Sequence, residues 1–477
     1  MDVKRIGDLP KIDAPAGHVL VEDGGYAKRV PVEAFAAKEE KDQIDYGAFS
    51  IMVLDLTGDA SAMTKDNAVE MDALLYTRYA RQTMIGKTYY ADWERTSPVG
   101  TTDDMYIAQQ AGDPACSFAL GGATYYIASE DCTPSFEVRG KANCKWQGTS
   151  SLQWPKKNYT INFDREFEAK AGWGAHSKYV AKANWVDASN LRNILGATLW
   201  GKLVKVRENA PARLKALPNG GAVDGFPLWI NINGQPHGLY IMTIPKDAWL
   251  FGMTGADTAA GFICAENYLC AAPAVGDETD IEIEYAAGDK AALLRSFNTM
   301  ISRLNAVSSA ADLPALEEVL DMGSVVDYYV FTAFACHHDG VQKNYIMATY
   351  DGAKWFMSAY DMDSTFGNKW DGSGHGWFND YPTFDLDASG NKLFAVAKTY
   401  YKEQIKSSFQ DRRYWELGEI DFSATAYTLA HQIPRALALE DFRLWPSRPA
   451  TNTSDVNEIL NFVRIRGPML DYRVSNL

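Results

Sequence analysis

The stretch from Val325 to Gly367 leaves a chain like this few ways to fold. Apolar residues dominate Val325 to Cys336 and predict a helix. His337, His338 and Asp339 then open a polar loop that closes at Asn344. Two apolar runs follow, Tyr345 to Tyr350 and Trp355 to Tyr360, parted by Asp351-Gly352, a dipeptide that favours a hairpin turn. The second run ends in an acidic loop, Asp361-Met362-Asp363-Ser364-Thr365-Phe366-Gly367. The residue types on the two sides of the hairpin have a shared chemistry. A hard cation such as Mg²⁺ takes oxygen ligands, which Asn344, Asp361 and Asp363 can supply. A separate carboxylate, Asp339, suits the alignment and deprotonation of a hydroxyl group. Each motif alone is common, and their weight comes from the helix and hairpin that hold them in this order.

Ahead of this segment the pattern is mostly that of strands. Phe49 to Leu56 predicts one, and Phe136 to Arg139, Asn158 to Phe163 and Tyr179 to Trp185 predict others, with Tyr159, Ile161 and Phe163 alternating. Asn233-Gly234 between 227–232 and 238–244 predicts a hairpin. Asp66 to Arg81, with Val69, Met71, Leu74, Leu75 and Tyr79 near helical spacing, predicts a helix, and a second begins near Asp187 or Ser189. After residue 288 helices dominate, at 288–306, 312–321, 324–337, 390–412, 423–439 and 455–473. The expected class is α+β, with a sheet-rich N-terminal half and a helix-rich C-terminal half. Residues 1–45 stand apart, punctuated by Pro10, Pro15, Pro31 and Gly24-Gly25, with one helix expected at 32–41. The expected division is 1–45 as an attachment segment and 46–477 as one domain, with a sheet-rich lobe over about 46–250 and a helix-rich lobe over about 285–477.

The separation of Asp339 from Asn344, and the hairpin that leads on to Asp361, follow the order of a protein kinase catalytic loop and its metal-binding Asp. A longer series of motifs agrees. Phe136 to Gly140, Lys156 to Phe163, Asn184 to Asp187, Leu191-Arg192-Asn193, Gly238-Leu239-Tyr240, Asp339 with Asn344-Tyr345, and Asp361 to Gly367 resemble, in order, the motifs of the spore coat protein H kinase family. The resemblance implies an atypical protein-kinase-like fold without the usual glycine-rich loop, and phosphorylation of protein hydroxyl groups with ATP and Mg²⁺. It makes Lys157 the phosphate-binding lysine and Asp361 the main metal ligand. Beside it, Gln147, Thr149 and Ser150 in a Gly-containing turn are either a phosphate cradle or an ordinary hairpin loop. Arg139 and Arg192 are phosphate contacts or buried ion-pair partners. Four positions after Tyr240 the family carries an acidic residue where this chain has Ile244, and Glu137 or Glu266 are candidates to replace it.

Other features carry less. Asp385, Asp387 and Ser389 imitate half a calcium loop, but Val396 stands where a bidentate Glu belongs. Trp370 to Pro382 is a substrate-facing lid or a plain surface loop. The cysteines at 116, 132, 144, 264, 270 and 336 lack zinc spacing and are expected as free thiols. Lys and Arg number 46 against 61 Asp and Glu, a net charge of −15, and no basic run is present, so nucleic acid is not an expected partner. No apolar run reaches the roughly 18 residues of a membrane span, and no signal-peptide pattern opens the chain; synthesis in a host cytoplasm is the expectation.

The string from Ile6 to Phe35 looks like the opening segments of bacteriophage fibre, tail and baseplate proteins, and Gln147 to Ser151 looks like the version of the domain in phage structural genes. That resemblance implies a virion component that contacts other virion proteins through residues 1–45, in a homo-oligomer within the particle. Two functions stay open: an ATP-dependent kinase acting on a protein acceptor, and a catalytically silent structural protein that uses the same fold as a rigid module.

Overall fold

Period-two burial shapes much of the described chain before residue 190. A computed structural model describes residues 18–23, 26–31, 50–79, 82–83, 88–92, 96–101, 106–107, 117–120, 123–127, 136–266, 280–372, 390–449 and 456–477. The chain forms two compact units, 1–47 and 48–477. In the first, His18–Asp23 and Tyr26–Pro31 pair as an antiparallel hairpin. The helix expected at 32–41 falls outside the described residues, as do 373–382 of the expected lid, most of the calcium-like loop and three of the six cysteines.

In the second unit seven strands close a barrel: β1 (Ser50–Thr57), β2 (Val69–Tyr79), β3 (Glu137–Gln147), β4 (Asn158–Phe167), β5 (His176–Lys182), β6 (Gly225–Ile232) and β7 (Gln235–Thr243). Their neighbour order is β3-β4-β5-β7-β6-β1-β2, returning to β3, and only β6 with β1 is parallel. Closure leaves no unpaired edge. The helix expected over Asp66 to Arg81 is the strand β2. Its buried residues Met71, Ala73 and Leu75 alternate with exposed Glu70 and Asp72, and β1 and β3 pair with it on both sides. The Leu74-Leu75 pair imitates helical spacing, yet the pleat decides because the partners satisfy the backbone. At the β6–β7 turn Asn233 and Gly234 both have positive φ, 52° and 75°, as a two-residue hairpin turn requires.

A second sheet has the order β9-β8-β10-β11, built from β8 (Gly261–Ala265), β9 (Ile281–Ala286), β10 (Tyr345–Thr349) and β11 (Phe356–Ala359), all antiparallel. The longer helices are α1 (Arg192–Val206), α2 (Lys290–Ala306), α3 (Met322–Ala335), α4 (Lys392–Tyr400), α5 (Lys402–Tyr414), α6 (Glu419–Ala430), α7 (Arg435–Leu444) and α8 (Val456–Ser475). The helix expected at 390–412 is two, joined at Tyr401. That at 423–439 is also two, parted at Pro434, which lacks the N–H a continuous helix needs. The helix expected at 312–321 shrinks to Leu313–Glu317. α3 is buried on every face, and Asp321 caps its N-terminus by accepting from Ser324 N–H. Helices and sheets together make the class α+β. Cys144, Cys264 and Cys336 are free and buried. Among the described residues no helix is long and apolar enough to cross a membrane.

Candidate functional site

The loop after α3 is held by its own buried groups. Cys336 ends the helix with φ 53°. His337 is fully buried, which pushes its ring below the ordinary value and keeps it neutral, and its Nε2 donates to the Tyr360 carbonyl at 3.2 Å. This ties the start of the loop to the end of β11. Tyr328 Oη donates to the Gly340 carbonyl at 2.9 Å, and a Cβ on Gly340 would lie 2.2 Å from the His337 ring. Asp339 therefore opens a short 3₁₀ turn, Asp339–Val341, in a fixed place. Asn344 follows with φ 58°, its N–H donating to Ala265 O at 3.1 Å. Asp361, with φ 52°, and Phe366, with φ 48°, complete four left-handed non-glycine residues within one segment. Such conformations cost free energy and persist where the surroundings over-determine them.

The acidic loop is clamped through its backbone by α1. Arg192 Nε donates to Thr365 O at 3.0 Å, Nη2 to Phe366 O at 3.4 Å, and Asn193 Oδ1 accepts from Met362 N–H at 3.0 Å. Asn368 Nδ2 donates to Val186 O at 3.0 Å and Asp363 O at 2.9 Å. The Phe366 N–H donates to Ala335 O at 2.7 Å, and its ring packs on Phe422 of α6. Arg192 itself is buried in an ion pair with Asp187 at 2.7 Å. Of its two expected roles, phosphate contact or ion-pair partner, the second holds.

The carboxylates this clamp presents lie close to one lysine. Lys182, the last residue of β5, places Nζ 3.7 Å from Asp361 Oδ1 and 5.8 Å from the centre of the Tyr360 ring. Burial alone would lower its ammonium, but Tyr360, Asp361 and Asp363 outweigh that and raise it above the ordinary value. Burial pushes the Asp363 carboxyl well above the carboxylate range; the charges of Asp361, Asp339 and Asp187 push the same way, against Lys182. Asp339 behaves oppositely. Burial raises its carboxyl, but the His338 ring, with Nδ1 3.7 Å from Asp339 Oδ1, and the charge of Lys343 bring it below the ordinary value, so it is ionised at neutral pH. Among the described residues no three His, Cys, Asp or Glu side chains are arranged to hold a metal ion by themselves.

Of the residues singled out in the sequence, Asp339, Asn344, Asp361 and Asp363 are thus gathered on one pair of clamped loops. Lys157 stands elsewhere: its Nζ donates to Leu152 O at 2.6 Å and Trp154 O at 2.5 Å, within the turn that precedes it. Arg139 lies on β3 with its side chain 69% exposed, 3.6 Å from Glu137. Thr149 and Ser150 are exposed, and Gln147 Oε1 is buried without a hydrogen-bond partner. Their turn does belong to the Lys182 end of the barrel. Gln147 pairs with Asn158, whose Oδ1 accepts from Ala183 N–H at 2.7 Å, one residue past the lysine. Gly148 has φ 117°, and a Cβ there would meet Ser151 Oγ at 1.9 Å. Ile244 is buried.

A family model described as CotH kinase protein matches residues 144–470, which include the gathered residues and Lys182. The chain belongs to the CotH kinase protein family. No curated protein matches it. Lys182 is the residue that sequence reasoning missed, and a signal for it was present. Tyr179-Val180-Ala181-Lys182 ends a strand that follows a hairpin, with its one charged residue at the strand's end.

Proposed function

We infer that residues 48–477 adopt an atypical protein-kinase-like fold that binds ATP with Mg²⁺ and transfers its terminal phosphoryl group to a protein hydroxyl. The observation that carries this reading is the Lys182 side chain, 12% exposed, whose ammonium is held 3.7 Å from Asp361 beside a second carboxyl, Asp363, on the same clamped loop. A crowd of carboxyls short of positive charge suits a divalent cation, and its donors are all oxygens, which suits Mg²⁺. Asp361, Asp363 and Asn344 would hold the ion; that these do not form a closed cage fits a metal that keeps phosphate oxygens and waters among its ligands. When bound, Mg²⁺ would supply charge that offsets the phosphates.

In this reading Lys182 binds phosphate oxygens and, with its ammonium raised, stays charged through the physiological range. The backbone of the Gln147–Ser151 turn borders the phosphate end, with Thr149 and Ser150 as hydroxyl donors. Asp339 accepts a hydrogen bond from the acceptor hydroxyl and aligns it. The hydroxyl oxygen bonds to the terminal phosphorus as the bond to the bridging oxygen breaks, ADP leaves, and the hydroxyl proton passes to Asp339. A carboxyl below the ordinary range is a weak base, which fits a loose transition state where positioning contributes most.

The test is thermal unfolding of the full chain with ATP, with and without Mg²⁺, together with transfer of labelled phosphate to protein. Mg²⁺-dependent stabilisation is expected, and its absence would remove the reading. One observation favours a catalytically silent structural module instead: Ile244 is buried hydrocarbon at a position where the resemblance to the family implies a carboxylate. For the chain as a whole we retain a bacteriophage virion role, in which residues 1–45 attach the domain to other virion proteins. Its support is the resemblance of Ile6 to Phe35 and the separate unit formed by residues 1–47.

A further inference from the structure

We propose that Lys246 and Glu284 recognise the nucleoside end of the nucleotide. The proposal rests on the reading of this site as an ATP site. Ile244 is 6% exposed and its N–H is bound to Asp224 O, so that position offers nothing polar to a ligand. Neither Glu137, paired with the exposed Arg139, nor Glu266, whose own side chain is exposed, forms a buried pair with a lysine. Two residues beyond Ile244, Lys246 does. Its ammonium contacts Glu284 of β9, lies 3.7 Å from Glu282 and stands 4.9 Å from the centre of the Tyr360 ring, the ring that Lys182 also approaches. The side chains of Lys246 and Glu284 are 17% and 13% exposed, sheltered enough for strong polar contacts yet open at the rim.

The two lysines keep different company, and that decides which end of a nucleotide each one meets. Lys182 stands with Asp361 and Asp363, the candidate metal ligands, so a bound cation would free it for phosphate. Lys246 stands with Glu284 and Glu282. Two glutamates around one ammonium repel phosphate. They accept hydrogen bonds from sugar hydroxyl and base amino groups, while the ammonium donates to ring or carbonyl acceptors. Burial pushes the Glu284 carboxyl up to about 7 even with Lys246 pulling it down. Without Lys246 it takes up a proton, and no bare charge is left to unfold the site.

The experiment is calorimetric titration of the full chain with Mg²⁺·ATP and with Mg²⁺·tripolyphosphate, which lacks the nucleoside. Lys246→Ala and Glu284→Gln are each expected to weaken Mg²⁺·ATP about tenfold, the loss of one charge-assisted hydrogen bond. Both should leave Mg²⁺·tripolyphosphate unchanged, which also shows that the variants are folded. Lys182→Ala should weaken both ligands. If the Lys246 and Glu284 variants bind Mg²⁺·ATP as wild type does, or lose both ligands equally, the nucleoside assignment is overturned while the ATP site stands. If wild-type protein binds neither ligand, the ATP site itself fails and the assignment with it.

Discussion

Replacing Asp441 by Asn is expected to cost the fold about 3–5 kcal/mol, the range for breaking a buried ion pair by removing one partner. Asp441 on α7 is fully buried between two cations that are equally buried. Its Oδ1 accepts from Lys156 Nζ at 2.7 Å and from Leu239 N–H at 2.9 Å, and its Oδ2 accepts from Arg448 Nη1 at 2.6 Å. Gly238 makes room for this carboxylate: with φ 120°, a Cβ there would lie 2.3 Å from Oδ1. An amide of the same shape keeps one acceptor oxygen and turns its NH₂ toward a cation. Arg448 cannot lose its charge, and its Nη2 also holds Asn184 O and Asp187 O, each at 2.6 Å, so the strain reaches the segment that leads into α1. Lys156→Met should cost less, because Asp441 keeps Arg448 and the Leu239 N–H as partners. Burial pushes the Lys156 ammonium down from 10.5 to about 7 despite the pull of Asp441, so its partners do not fully repay its desolvation. Because the folded value is depressed, the unfolded chain binds the extra proton, and this group adds stability as pH rises from about 7 to 10.5. Urea unfolding of wild type and both variants at pH 7 and pH 9 measures the effects. Equal losses in the two variants, or a wild-type gain with pH that Lys156→Met does not reduce, would refute the reasoning.

Asp363→Asn should raise the thermal midpoint of the ligand-free protein at neutral pH. The folded state holds a proton on Asp363 that the unfolded state releases above 3.8, so the wild-type penalty grows as pH climbs from there toward the raised folded value. The same change should weaken Mg²⁺-dependent nucleotide binding, and a lower midpoint at pH 7 would count against the buried-carboxyl assignment. Asp339→Asn should leave Mg²⁺·ATP affinity in place and lower phosphotransfer by about 10²–10⁴-fold, the usual share of a general base; lost affinity in titration would instead make Asp339 a metal ligand. Deleting residues 1–45 should leave cooperative unfolding of the remainder intact and abolish incorporation into particles, and normal incorporation would end the attachment idea.

What was legible in the sequence was local. Asp339, Asn344, Asp361 and Asp363 fall within 25 consecutive residues, so a helix, a loop and a hairpin suffice to bring them together. The Asn233-Gly234 turn was legible for the same reason, as were the helices at 288–306, 324–337 and 455–473, whereas those expected at 390–412 and 423–439 are each two and that at 312–321 is shorter. Partners from distant strands were not. Lys182 comes from β5 and Lys246 from beyond β7, while Glu284 belongs to β9; only the tertiary fold brings Lys182 and Lys246 to the ring of Tyr360. Lys157 carries the same charge as Lys182 and sits at the start of an alternating strand. Two carbonyls of its own turn engage it, and no period in the sequence reveals that. β2 was misread because paired leucines obscure a period of two, and the barrel escaped notice because its closure needs the parallel pairing of β1 with β6, more than 170 residues apart.

Titration of ATP with and without Mg²⁺ into wild type, Lys182→Ala, Lys157→Ala and Asp361→Asn tests the proposed site most directly. Wild type and Lys157→Ala should bind in a Mg²⁺-dependent manner with similar affinity, because Lys157 is engaged by Leu152 O and Trp154 O. Lys182→Ala and Asp361→Asn should both lose most of that affinity while keeping a cooperative unfolding transition, since one removes the phosphate cation and the other a metal carboxylate. Equal, undetectable heats in all four proteins would contradict the account, as would full binding by Lys182→Ala with loss in Lys157→Ala.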